Sequence, residues 1–377
     1  MPWHEVEKMD LRKQFVARWL EGQESLSRLC MEFGISRKTG YKWVGRFEEE
    51  GYAGLEDRSR RPLVIARGTE GSVVEALLEK RRAYPFWGAR KLCRLMEVEG
   101  AWVPAERTAN RILKRHGLTR PREREAGEVR RFERGEPNDL WQMDHKGAVH
   151  GPGYRRMVPF QVLDDCSRYI VALKVLPDKG LDASWGAMWE AFGENGLPYA
   201  ILSDNDLIFH GRSGPSQFEA RLMRLGINIL HGRPYHPQTQ GKVERANGTL
   251  ELEVLKGRRF RTPEELQAAI DAYRERYNYV RPHEALGLRV PGSVYRGSNR
   301  RRPSALPEME YPCGAVLRRA TKDGWISWRG YRIGVGAGVA GQAVEVREGT
   351  EGIEIYFGPY RLPGEFLDGG RPRRGRG

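Results

Sequence analysis

Three acidic residues limit what this chain can fold into more than any others. They are Asp144 in Trp141-Gln142-Met143-Asp144-His145, Asp204 in Leu202-Ser203-Asp204-Asn205-Asp206, and Glu244 near the end of His236-Pro237-Gln238-Thr239-Gln240-Gly241-Lys242-Val243-Glu244-Arg245. Asp144 follows Leu140-Trp141 in an apolar, strand-like stretch. Asp204 ends the short run Ala200-Ile201-Leu202-Ser203, which reads as a buried strand about to turn. Glu244 falls just inside a predicted helix over 237–255, because Pro237 suits a first helical position and the residues after it favour helix. Two carboxylates at strand ends and one on an adjoining helix can converge on divalent cations. Hard carboxylate oxygens without Cys or His suit Mg²⁺ or Mn²⁺ rather than zinc. Two such ions, about 3.5–4 Å apart, can clamp the attacking and leaving oxygens of a phosphodiester.

The charge balance agrees with a polyanionic partner. Lys and Arg number 64 against 50 Asp and Glu, a formal charge of +14, which favours nucleic acid through steering and counterion release. Basicity for solubility alone would scatter evenly, whereas Arg clusters stand at Arg58-x-Arg60-Arg61, Arg300-Arg301-Arg302 and the tail from Arg371. No apolar run approaches the roughly 20 residues of a membrane span, and Met1-Pro2-Trp3-His4-Glu5 does not read as a secretory signal. Cys30, Cys93, Cys166 and Cys313 are far apart, form no metal-like pair, and read as reduced cytosolic thiols.

The first 50 residues predict a helix-turn-helix. Leu11, Phe15 and Trp19 form one apolar stripe, and Leu26, Leu29, Cys30 and Phe33 a second. Gly34-Ile35-Ser36 is the turn, and Ser36 caps a third helix that carries Thr39, Trp43 and Phe47 inward. Arg37, Lys38, Tyr41 and Lys42 are then left on the open face, where a recognition helix meets the major groove. A second helical unit follows, with helices expected at Val73–Leu78, after Trp87-Gly88, and through Arg107 and Lys114 to a cap at Gly117. Strands and helices then alternate: strands at Asp144, 156–163 and 169–176, a helix at 183–192, a strand at 200–203, a helix at 215–225, a strand at 227–230, and helices at 237–255 and 263–277. Short strands with Gly-rich turns close the chain at 315–319, 325–328, 331–335, 343–347 and 353–357.

The acids are separated by 59 and 39 residues. With the run 236–245 and the later Tyr277-Asn278-x-x-Arg281-Pro282-His283-x-x-Leu286-Gly287, the pattern resembles the Asp-Asp-Glu transposases of prokaryotic insertion sequences. Their core is similar to that of retroviral integrases. The resemblance covers roughly residues 10–365 and is specific in the middle and weak at both ends. It implies a multidomain α+β chain with seven expected segments and a tail. Residues 1–57 form a helix-turn-helix domain, 58–68 a basic linker, 69–118 a second helix-turn-helix-like unit and 119–137 a linker. Residues 138–296 form a ribonuclease-H-like α/β catalytic core, 297–309 a basic linker, 310–368 a small β-barrel and 369–377 a disordered Arg-Gly tail.

The resemblance also implies catalysis and metal binding by Asp144, Asp204 and Glu244, with two Mg²⁺ (or Mn²⁺) ions per site. The partners it implies are double-stranded DNA, both element ends and target, and further copies of the chain as a dimer or tetramer on DNA. The place of action would be the nucleoid of a prokaryotic cytoplasm. Beyond the recognition-helix residues, expected DNA contacts are Arg60, Arg61, Arg107, Lys114, Gln240, Lys242, Arg245, Arg318, Arg319 and Arg329, although each of the charged ones can equally be a solvated side chain. Two other readings stay open: a catalytically silent DNA-binding regulator, and a metal-dependent nuclease without strand transfer.

Other polar residues are ambiguous. Asp164-Asp165-x-Ser167-Arg168 matches a family motif, yet a tight turn with an internal ion pair explains it equally well. His145 alternates away from Asp144 on a regular strand and is not counted as a ligand. Two positions depart from the family. Asp206 stands where Gly is usual, and Glu251 stands where Lys or Arg is usual, on the helix face expected towards DNA. There Glu251 would repel phosphate unless Arg258 or Arg259 pairs with it.

Overall fold

The computed structural model describes residues 8–58, 68–119, 134–204, 206–211, 213–231, 241–349, 352–368 and 371–373. Contacts divide the chain into two units, Met1–Gly68 and Thr69–Gly377.

In the first unit, α1 (Lys8–Leu20), α2 (Leu26–Glu32) and α3 (Arg37–Glu50) enclose Phe15, Val16, Leu29, Cys30 and Trp43. Ser36 caps α3, its Oγ accepting from the Thr39 amide at 3.2 Å. Leu11, expected on the apolar stripe of α1, is instead exposed. The buried face is rotated towards Arg12, whose guanidinium lies 4.0 Å from the Trp43 ring centroid and donates to the Leu55 carbonyl at 2.7 Å. Gly40 lets α3 approach α2 closely: a Cβ there would stand 2.4 Å from Cys30 Sγ.

The second unit opens with α4 (Gly71–Ala83), α5 (Ala89–Val98) and α6 (Glu106–Arg115), packed around Leu77, Trp87, Leu92, Met96 and Ile112. Gly117, at φ +68°, ends α6 in the left-handed region. These helices do not stand apart from the sheet domain that follows. Val280 packs against their core, and Trp87 Nε1 donates to Glu253 Oε1 at 3.1 Å.

The α/β core is a six-stranded sheet in the order β2-β3-β1-β5-β6, with β4 also on β3. Its strands are β1 (Trp141–His145), β2 (Val149–Gly151), β3 (Tyr154–Asp164), β4 (Ile170–Leu176), β5 (Ala200–Ser203) and β6 (Asn228–His231). β1 and β3 run antiparallel; β1, β5 and β6 run parallel. The short β2 is absent from the sequence prediction, since three residues are too few to show a period. Helices α7 (Leu181–Asn195) and α8 (Gln217–Arg224) close one face over Trp141, Phe160, Phe192 and Phe218. Helices α9 (Gly241–Leu250) and α10 (Pro263–Tyr279) cover Leu163, Ile170 and Leu173 on the other face. Each fully buried side chain of this size stabilises by about 1.5–3 kcal/mol. α9 continues into a π-helical turn, Glu251–Leu255.

The C-terminal strands do not close into the expected barrel. They pair as two four-stranded sheets, β12-β11-β10-β7 and β14-β13-β9-β8. The strands are β7 (Leu317–Arg319), β8 (Trp325–Trp328), β9 (Tyr331–Gly334), β10 (Ala343–Gly349), β11 (Gly352–Phe357), β12 (Tyr360–Leu362), β13 (Glu365–Asp368) and β14 (Arg371–Arg373). The tail expected to be disordered contributes β14, paired with β13. Both sheets share one apolar core with Ala220 of α8. The contact with α8 is close at Gly338, whose amide donates to the Pro215 carbonyl at 2.9 Å and where a Cβ would stand 2.2 Å from the Ser216 carbonyl oxygen.

Candidate active site

Sheet register brings the first two acids together. β1 and β5 pair in parallel with Trp141 beside Ile201 and Gln142 beside Leu202, so the same register extended by two residues sets Asp144 beside Asp204. α9 packs across β1 and carries Glu244 in its first turn. One turn further on, Asn247 Nδ2 donates to Asp144 Oδ2 at 2.7 Å. Asp204 Oδ1 accepts from the Asp206 amide at 3.2 Å. Burial, then the charge of Asp204, pushes the Asp144 carboxyl up to about 6; Glu244 adds to this, while Asn247 and Lys179 oppose it. Burial also raises Asp204, against the opposing hydrogen bond from Asp206. Adjacent, desolvated carboxyls that resist ionisation are what a cation-binding site looks like before its countercharge arrives. Asp206, which stands where Gly is usual, has its carboxylate 3.9 Å from Lys179 Nζ.

The motif at 164–168 forms a buried turn. Asp164 Oδ1 accepts from the Ser167 amide at 2.8 Å and from its hydroxyl at 2.6 Å, and Arg168 adopts φ +61°. Asp165, fully buried, accepts from Gln142 Nε2 at 2.7 Å and from Lys242 Nζ at 2.6 Å. Lys242, expected to meet phosphate, is therefore held inward by a carboxylate and fastens the first turn of α9 to the turn after β3. His145 packs with its ring stacked 5.1 Å from Phe209 and bonds to Ser184 Oγ at 3.0 Å. Its burial lowers the imidazole to about 4, so it is neutral.

Glu251 meets Lys146 Nζ at 2.9 Å rather than Arg258 or Arg259. Asn247, Lys179 and Lys146 were not singled out from the sequence. Asn247 alone left a signal there, one helical turn after Glu244.

The remaining candidates are spread across the surface. Arg37, Lys38, Tyr41 and Lys42 are exposed on one side of α3, Arg107 and Lys114 are exposed on α6, and Arg245 is exposed on α9. Arg318 lies over the Trp328 ring at 4.8 Å, Arg319 donates to the Gly341 carbonyl at 2.9 Å, and Arg329 pairs with Glu348 at 2.7 Å. Arg60, Arg61, His236 and Gln240 lie outside the described residues. No described helix is long and apolar enough to cross a membrane.

Comparison with known proteins agrees with this organisation. Residues 225–291 match the integrase core domain, residues 39–113 a homeodomain-like domain, and residues 11–62 a helix-turn-helix domain. The chain is 28% identical over 226 residues to the insertion element IS407 uncharacterized 31.7 kDa protein of Burkholderia multivorans, a match spanning 58% of this chain and 77% of that protein. It is also 28% identical over 166 residues to the insertion element IS476 uncharacterized 39.2 kDa protein of Xanthomonas euvesicatoria, spanning 44% of this chain and 46% of that protein. Among solved structures, the HTLV-2 integrase catalytic core domain is similar at 18% identity and a TM-score of 0.33, covering 43% of this chain and 98% of that one. An integrase core domain on one chain with helix-turn-helix domains defines a class of polynucleotidyl transferases. Within it, the chain is similar to proteins of insertion elements.

Proposed function

We propose that the protein is a transposase that binds the terminal inverted repeats of its own mobile element, cleaves DNA there and transfers the 3′-hydroxyl ends to target DNA. The observation that carries this reading is the β1–β5 register, which sets Asp144 beside Asp204, with α9 held over the pair by the Asn247–Asp144 hydrogen bond. Asp144, Asp204 and Glu244 would hold two Mg²⁺ (or Mn²⁺) ions; their hard oxygen donors fit that role, as does the burial that makes the Asp144 and Asp204 carboxyls harder to ionise. When bound, such ions supply the Lewis acidity that in-line phosphodiester displacement requires. The chain's own part is positional. Asn247 orients one carboxylate, the Asp206 amide orients the other, and the Lys242–Asp165 pair fixes the helix that presents Glu244. Exposed residues of α3 read the element end in the major groove, while basic residues of α6 and the C-terminal sheets contact phosphate. No covalent link between protein and DNA is needed, and pairing of two ends calls for a dimer or tetramer on DNA.

The test is cleavage of DNA carrying the inverted repeats that flank the gene. Asp144→Asn, Asp204→Asn and Glu244→Gln should each lower Mg²⁺-dependent cutting by about a thousandfold or more, the several kcal/mol a metal clamp contributes. End binding should stay within a few-fold, because phosphate contacts elsewhere supply affinity. Undiminished cutting by any one variant removes that residue from the site.

A further inference from the structure

Close to the acidic pair, but separate from it, stand three ligand-type side chains that the reaction above leaves unused. His210 in the loop after β5, Glu219 in the first turn of α8 and His231 at the end of β6 each place one ligand atom within 4.8 Å of the other two. No other trio of His, Cys, Asp or Glu among the described residues does so. His231 Nε2 lies 2.7 Å from Glu219 Oε1, and His210 Nδ1 lies 3.6 Å from the same oxygen. The two imidazole centroids are 4.3 Å apart.

The surroundings orient each group. Glu219 Oε2 accepts from the backbone amides of Gly211 and Ser216. One carboxylate oxygen is therefore anchored, and the other is presented to the histidines. The Glu219 side chain is only 8% exposed. His231 Nδ1 faces Ser203 Oγ at 3.3 Å, which directs Nε2 towards Glu219. A polar partner on the far nitrogen regularly accompanies a metal-ligating histidine, fixing tautomer and ring orientation. His210 is carried by the turn that buries Phe209, so its backbone is held by the core while its ring stays half exposed.

A hydrogen-bonded ion pair would need Glu219 and His231 only. The second imidazole stands too far from Glu219 for a hydrogen bond, at a distance that suits shared coordination. Ligands held tetrahedrally at 2.0–2.1 Å from zinc lie roughly 3.3 Å from one another. The observed 2.7 and 3.6 Å bracket that figure, and the ligand atoms of the two histidines lie within 4.8 Å of each other. Two imidazoles and one carboxylate favour Zn²⁺ over Mg²⁺, which takes an all-oxygen shell.

We infer that His210, Glu219 and His231 form a Zn²⁺ site, with solvent in the fourth position. The ion would tie the loop that begins at Asp204 to the end of β6 and to the first turn of α8. It is a structural clip beside the acidic pair, independent of the ions that Asp144 and Asp204 would hold.

The test titrates chelator-stripped full-length protein with Zn²⁺ in excess Mg²⁺, reading bound zinc by equilibrium dialysis and elemental analysis. A parallel titration with Co²⁺ reads the visible absorption of tetrahedral coordination. One equivalent of zinc is expected. His210→Ala and His231→Ala should weaken it by about 100-fold or more, beyond the range for loss of an outer-shell partner, and Ser203→Ala by about tenfold. His210 is half exposed, so its replacement leaves the fold intact, which circular dichroism checks. Asp144→Asn should retain the equivalent, separating this site from the acidic pair. Failure of the wild type to retain zinc would leave only a Glu219–His231 ion pair and overturn the inference. Unchanged affinity in His210→Ala would overturn it too, as would loss of the equivalent in Asp144→Asn.

Discussion

A carboxyl pushed to about 6 by burial and by a neighbouring acid is a cost carried by the folded protein. Below the ordinary value of 3.8 Asp144 is protonated in both folded and unfolded chains and costs nothing. Above about 6 its ionised form fully opposes folding. Stability from this one group therefore falls as pH rises between those values. In a chelator-containing buffer, Asp144→Asn should be more stable than the wild type by an amount that grows from pH 4 to pH 6 and then levels off, at up to about 3 kcal/mol. Thermal melts across that range read it directly, and a pH-independent difference would remove burial as the cause. Lys242 invites a contrasting substitution. Asp165 is fully buried and relies on it, so Lys242→Ala should cost about 3–5 kcal/mol in denaturant unfolding, the penalty for an uncompensated buried charge. A phosphate-only role would instead weaken DNA binding and leave the unfolding midpoint in place.

At the level of elements, the sequence showed helices and strands wherever one period governs the pattern. The Ser36 cap, the amphipathic α5 and α6, β1 with its acid, and the β3–β4 hairpin were all legible. What escaped is set by tertiary neighbours. The turn after β3 carries two acids whose partners, Asn138, Gln142 and Lys242, are far off in the chain, so its buried hydrogen bonds left no local mark. Of the described C-terminal strands, β7 to β11 were legible singly, but not β12, β13 and β14, nor the division into two sheets, because pairing depends on which edges meet. The π turn after α9 was also hidden, and it holds the departure at Glu251. Since Glu251 occupies Lys146 at 2.9 Å, Glu251→Gln should release that ammonium towards phosphate. The slope of log affinity for DNA against log salt concentration should then steepen by about one; an unchanged slope would place Lys146 away from DNA. In the first unit, Gly40→Ala should cost about 1–3 kcal/mol by overpacking against Cys30, with loss of end binding in proportion to unfolding.

Across the whole molecule, α4–α6 are joined to the sheet domain by more than a tether. Glu253, 5% exposed, receives Trp87 Nε1 at 3.1 Å and lies 3.6 Å from Arg281 and 3.7 Å from Arg276. Residues 119–377 should therefore unfold at a lower temperature than residues 69–377, since the shorter chain uncovers Val280 and strips Glu253 of a donor. Equal melting temperatures would mean that this docking adds nothing. Glu253 sits on the π turn that continues α9, and α9 carries Glu244. On the proposed function, a duplex end bound at α6 would pull, through Trp87, on the far end of the same rod whose near end carries Glu244. Capture of the end and alignment of the cutting edge would then be one stroke of a lever rather than two events in sequence.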